Sequence, residues 1–132
     1  MALNPKVLAV RRAEFIPAPF FGKNESGCKP IGDRVLVRPD IAAAKSGSIS
    51  LPEDVIERAQ LASSSGVIVE CGDGAFSWNS DRTRPFEGEK PKAGDRVFFD
   101  RYAGKVILGD DGVEYRLMDD NSIGGMRKRE KA

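Results

Sequence analysis

The chain has no histidine. That absence removes the usual general base at neutral pH, the commonest metal ligand and any conventional catalytic triad. Cysteine is scarce as well: Cys28 and Cys71 are too few and too far apart for a disulfide framework, a zinc set or a familiar redox motif, so two free thiols are expected. Long apolar runs are missing, the continuous stretches being short, as at residues 7–10 and 106–108. These fall far below the roughly 20 residues a membrane-spanning helix needs, and the N-terminal run stops at Arg11-Arg12, too early for a secretory signal. Charge of one sign is lacking too, with 21 basic against 20 acidic residues. A net charge of +1 gives no general reason to seek nucleic acid or an anionic membrane. The glycines form neither a Walker loop nor a GxGxxG turn, so phosphate binding has no support.

What remains is a chain of 132 residues, the size of one ordinary domain, in which 31% of the side chains are charged. Residues 1–28 read as an irregular N-terminal extension, since Pro5, Pro17, Pro19 and the glycines at 22 and 27 interrupt any long periodic element. Phe15, Phe20 and Phe21 in that extension need an apolar surface, on their own protomer or a neighbour. From Pro30 the pattern changes. Val35 and Val37 alternate with Arg34, Leu36 and Arg38, predicting a strand that Pro39 closes. Further short strands are expected at 66–70, 95–100, 105–108 and 113–118, each bounded by glycine or aspartate. Such spacing suggests a small all-β barrel.

Within this frame several conspicuous residues have plain structural roles. Asp110-Asp111-Gly112 marks a hairpin turn rather than a calcium loop, which needs spaced oxygen ligands and a distant bidentate glutamate. Cys71-Gly72-Asp73-Gly74 reads as a turn, opening a Pro- and Gly-punctuated excursion to Lys92 that carries Phe76 and Trp78. Adjacent Phe98 and Phe99 point to opposite faces of a strand, so at least one enters the core. Arg127-Lys128-Arg129-Glu130-Lys131 belongs to a basic, solvated C-terminal tail over 127–132.

The stretch KSGSISLPE, residues 45–53, stands apart. Small, flexible residues lead into Ile49 and Leu51, which alternate with Ser48 and Ser50 so that both apolar side chains can enter one partner groove. Burying the pair would contribute about 3–6 kcal/mol gross, against roughly 1–2 kcal/mol of backbone entropy per residue ordered. One such loop binds weakly. A competing reading makes Ser50-Leu51-Pro52-Glu53 a capping box opening a short helix through Gln60.

The order of these segments carries a resemblance. KPIGDRVLVRP, SGSISLPE, GVIVECGDG, PKAGDRVFFDRYAGKV and EYRLMDDNSI follow one another as in the GroES-type co-chaperonins, and together span about residues 29–126, the candidate domain. The chain resembles a divergent member of that family with an N-terminal extension. The resemblance implies an irregular β-barrel with a long mobile loop and a roof hairpin or loop, the roof falling on residues 74–91. It implies a homo-oligomeric ring, a heptamer, that lids an ATP-dependent GroEL-type chaperonin and encloses an unfolded client protein. Gly47, Ser48, Ile49, Ser50 and Leu51 would bind the chaperonin, and Tyr102 would line the chamber unless it packs in the core. Neighbouring subunits would pair through the regions 30–35 and 122–126, although Ile123-Gly124-Gly125-Met126 departs from the more aliphatic family ending, and glycines weaken a strand. The resemblance implies no catalysis, no directly bound cofactor, no nucleic acid and no membrane, in a cytoplasmic protein (host cytoplasm if virus-encoded). The alternative is a stand-alone small β-barrel module binding peptide or nucleic acid, which calls for a continuous basic or aromatic face. An enzyme built like the GroES-like domain of alcohol dehydrogenases would lack its dinucleotide domain and metal ligands here.

Overall fold

Alternation of β-branched and polar residues sets the architecture, which the computed structural model describes for residues 15–43, 45–46, 49–50, 52–78 and 83–128. The strands are β1 (Phe15–Ile16), β2 (Arg34–Pro39), β3 (Ile41–Ala42), β4 (Lys45–Ser46), β5 (Ile49–Ser50), β6 (Ser65–Cys71), β7 (Arg96–Phe99), β8 (Lys105–Leu108), β9 (Glu114–Asp119) and β10 (Ile123–Met126). One α-helix, α1 (Glu53–Leu61), precedes β6, and a single 3-10 turn at Asp120–Ser122 precedes β10. All-β is therefore the right class, with one short helix set into it. Six strands form one antiparallel sheet in the order β10-β7-β6-β2-β9-β8. Among the described residues no ladder joins β8 to β10, so the sheet keeps two edges. Two small ladders, β1 with β3 and β4 with β5, stand outside it.

The predicted strand at β2 lies at the centre of the sheet, and its two faces feed two cores. Val35 and Val37 pack with Ile68, Val97, Phe99 and Met118 on one side, all nearly or wholly buried. Leu36 faces the other way, as period-two alternation requires. It is buried there with Val69 and Tyr115 because Phe20, Cys28 and Leu117 pack over them. The segment before β2 thus covers what would otherwise be an exposed apolar face. It is pinned by polar contacts: the Ala18 N–H donates to Asp40 Oδ1 (2.9 Å), Arg96 Nη2 donates to the Ala18 carbonyl (2.8 Å), and Arg38 Nη1 donates to the Pro19 carbonyl (3.3 Å). Asp40 Oδ2 also accepts from Ser65 Oγ (2.6 Å), joining the end of β2 to the start of β6.

The turn at 109–113 forms as its residues predict. Gly109 N–H donates to the Val113 carbonyl and Gly112, at φ 78°, donates to the Gly109 carbonyl. Asp111 closes the turn by accepting from the Tyr115 hydroxyl at 2.5 Å, so it is a hairpin residue; among the described residues no cluster of three His, Cys, Asp or Glu could hold a metal. In the roof region Phe76 packs locally. It is 4% exposed at φ 57°, lies edge-on to Phe86 (5.8 Å between ring centres), and its N–H donates to the buried Asp120 carboxylate at 2.8 Å. Trp78 bridges Pro85 and stays half exposed.

Candidate functional site

The loop expected to bind a partner begins after β3, beyond the end of β2, and returns through α1, so its two stems are the elements that position it. β4 and β5 form an antiparallel ladder within it, Lys45 opposite Ser50 and Ser46 opposite Ile49. Gly47, Ser48 and Leu51 lie outside the described residues; Ile49 and Ser50 are described as the backbone of β5.

The helical alternative for the second half of the loop is the one the chain adopts, though without the capping box. Ser50 sits in β5, Pro52 occupies the N-cap position with no side-chain cap, and helical residues begin at Glu53. Proline tolerates this start because its missing N–H would be unpaired there anyway, and Glu53 and Asp54 place negative charge at the positive end of the helix dipole. Val55 and Ala59, four residues apart, are the buried stripe that holds α1 to the rest of the chain.

Two polar side chains tie the stems down. Gln60 Oε1 accepts from the Ala42 N–H and its Nε2 donates to the Asp40 carbonyl, both at 2.9 Å, so one amide fastens α1 to the outgoing stem. Arg116, on β9 and 2% exposed, reaches the other end of the helix. Its Nη1 donates to the Ser63 carbonyl (3.2 Å), and its Nη2 to the carbonyls of Gln60 (3.1 Å) and Leu61. Those carbonyls lie at the helix C-terminus, which lacks intrahelical partners and attracts a cation. The guanidinium also lies 5.7 Å from the Phe99 ring centre. Burial pulls its pKa down from the ordinary value, and the nearby Glu114 carboxylate acts in the opposite sense.

Neither Gln60 nor Arg116 was identifiable from the sequence as a site residue. An arginine between Tyr115 and Leu117 in a strand reads as a solvent-facing residue, and nothing local marks the carbonyls it reaches from 53 to 56 positions away. Tyr102 lies far from this loop in sequence, in the turn between β7 and β8. It is 65% exposed at φ 61°, which takes it out of the core of its own chain. Phe99 is buried while Phe98 is exposed and lies under the Arg127 guanidinium (5.3 Å), the two-faced arrangement expected of adjacent strand residues.

Comparison with known proteins gives the arrangement its context. Residues 27–126 match the family described as Chaperonin 10 Kd subunit. The chain belongs to that family. The Co-chaperonin GroES of Treponema denticola is 36% identical over 96 residues, 72% of this chain and 91% of that protein. The Co-chaperonin GroES of Bacillus sp. (strain PS3) is 35% identical over 96 residues, 72% of this chain and 93% of that protein. The match spans β2 through β10 together with both loop stems, so the co-chaperonin function rests on the whole domain rather than on one motif. The family is one of co-chaperonins rather than of catalytic enzymes. Among the described residues no helix is long and apolar enough to cross a membrane.

Proposed function

We propose that this co-chaperonin acts as a ring-shaped, heptameric lid for a GroEL-type chaperonin, closing a chamber around an unfolded client in the cytoplasm. The single observation that carries the reading is the unbroken family match over residues 27–126. The loop at 47–51 is the contact, with Ile49 and Leu51 as the apolar anchors and Gly47, Ser48 and Ser50 allowing the segment to order on binding. The Gln60 and Arg116 tethers support this assignment, because a loop held at both stems loses less entropy on binding than one hinged on slack chain. Each loop binds weakly. Several on one ring bind tightly and still release, since every attachment after the first is intramolecular.

The lid carries out no covalent chemistry and holds no nucleotide; ATP acts through the chaperonin, whose groove changes and lets the loops go. Tyr102 faces the enclosed client, a role its exposure permits.

Native mass spectrometry of the purified chain with a GroEL-type chaperonin, with and without ATP or an ADP–metal fluoride mimic, tests the reading. A nucleotide-dependent ring-on-ring complex is expected, and its mass counts the subunits. A monomer indifferent to both chaperonin and nucleotide would instead point to a stand-alone binding module. Ile49→Ser with Leu51→Ser should leave the free ring intact and abolish capture; full capture by that variant would remove both residues from the contact.

A further inference from the structure

A pocket of about 310 Å³ opens between the excursion at 74–91 and the stretch 120–126 that ends in β10. It sits at the small end of the roughly 300–1,000 Å³ typical of ligand sites, so it takes one side chain rather than a cofactor. Three aromatic rings line it. Phe76 and Phe86 meet edge to face, 5.8 Å between ring centres, and Trp78, held opposite Pro85, leaves 47% of its surface exposed. Pro91, Ile123 and Met126 add aliphatic wall.

Two carboxylates share this space with the rings. Asp120 is 4% exposed, and its Oδ2 is fixed by the Phe76 N–H at 2.8 Å; Glu89 lies in an exposed position. No lysine or arginine is among the described residues that line the pocket. Ring faces and carboxylates both attract positive charge, and the aliphatic wall suits the hydrocarbon stem that carries it in lysine or arginine. A neutral apolar group would strip water from the carboxylates without replacing its hydrogen bonds. An anion would be repelled.

We propose that this pocket binds a cationic side chain, lysine or arginine, of a polypeptide, its charged head against the Trp78 and Phe86 rings and the two carboxylates, its stem along Ile123 and Met126. The site is built from other elements than the loop at 47–51 and selects by charge, where the loop offers apolar anchors. It gives the protein a second peptide contact, one that prefers basic sequences.

Trp78 is the chain's single tryptophan, so its emission reports on the pocket directly. The test titrates the full-length protein with short peptides, capped at both ends, that differ only in a central lysine, arginine, norleucine or glutamate. Lysine and arginine peptides should change the emission saturably and bind about tenfold tighter than the norleucine peptide, which keeps the stem and lacks the charge. Raising salt should weaken them, and Glu89→Gln should reduce that salt dependence. Phe86→Leu keeps an apolar side chain but removes a ring, and should cut the preference for lysine over norleucine to about threefold or less. In protein labelled at the methionine methyl groups, the Met126 signal should shift on addition of the lysine peptide and that of the buried Met118 should not. Equal binding of the norleucine peptide, no saturable change with either cation, or an emission change without a Met126 shift would each overturn the assignment. None of these readouts involves a chaperonin, so the site is judged separately from the lid.

Discussion

Arg116 concentrates the electrostatics of the loop base in one side chain. Its buried guanidinium donates to carbonyls at residues 60, 61 and 63, and Arg116→Met keeps much of the volume while removing those three bonds, the Gln60 carbonyl keeping only the Ser63 N–H. A cost of about 2–4 kcal/mol in urea unfolding is expected, the range for a broken buried polar network. Arg116→Lys should recover part of it, since an ammonium cannot fan out to three carbonyls as a planar fork does. A loss below the error of the measurement would mean that water replaces the arginine. The alkaline limit of stability is also set by single residues. Burial, with help from Asp95 and Glu70, pushes the Cys71 thiol up to about 11 from 9.0. Burial and the hydrogen bond to Asp111 push the Tyr115 phenol up to about 12 from 10.0. Both groups are held neutral in the folded chain. Each therefore adds stability that is fully present below its unfolded pKa and is lost as pH rises through its folded one, about 9 to 11 for Cys71 and 10 to 12 for Tyr115. Asp111 is the reverse case: accepting from Tyr115 lowers its pKa from 3.8, so its share is present above 3.8 and fades in more acid solution. Cys71→Ala should flatten the pH dependence of the unfolding midpoint between 9 and 11, and Tyr115→Phe that between 10 and 12. Unchanged slopes in both variants would show that other groups govern alkaline unfolding.

Elements were far more legible in the sequence than their tethers. The five strands expected after Pro30 are all present, and residues 105–108 match β8 without adjustment, because alternation and glycine-bounded turns are local signals. The helix was ambiguous for a physical reason. The capping residue its sequence offered, Ser50, is taken by the β4–β5 ladder, so α1 starts without a side-chain cap and depends on what its buried face and its far end touch. Those contacts come from β3, before the loop, and from β9, where Arg116 lies 56 positions from Gln60, and no helix-start signal points to either. Gly104 illustrates the same limit within a turn. It reads as an ordinary turn glycine, yet at φ 75° a Cβ there would sit 2.5 Å from the Leu117 carbonyl oxygen. The sequence shows the need for a turn at that place but not the neighbouring strand that forbids a side chain. The sequence marked a segment, residues 47–51, as the proposed contact, but it held no sign of Gln60 and Arg116, which tether α1 beside it.

At the scale of the whole molecule, among the described residues the sheet ends in two unpaired edges, and in the proposed ring the β10 edge would bear on assembly. A protomer whose edge strand pairs with a neighbour depends for its ring on how well that strand holds its extended form, and β10 contains two successive glycines. Neither requires a missing side chain within the protomer. A Cβ at Gly124 meets nothing within 4 Å, one at Gly125 comes only to 3.9 Å of Phe98, and neither residue has a positive φ. Replacing each by alanine should therefore stabilise the strand by about 0.4–1 kcal/mol per site, mostly by narrowing the unfolded ensemble. Because every protomer of the proposed ring would contribute the same strand, the gain would repeat around it, and Gly124→Ala with Gly125→Ala should hold such a ring together at lower protomer concentration than the unaltered chain. Native mass spectrometry over a dilution series reads this directly. A ring that instead falls apart at higher concentration, from protomers whose unfolding midpoint has risen, would mean that a neighbouring subunit packs against the bare glycine backbone. The departure from an aliphatic ending would then be part of how the subunits fit together.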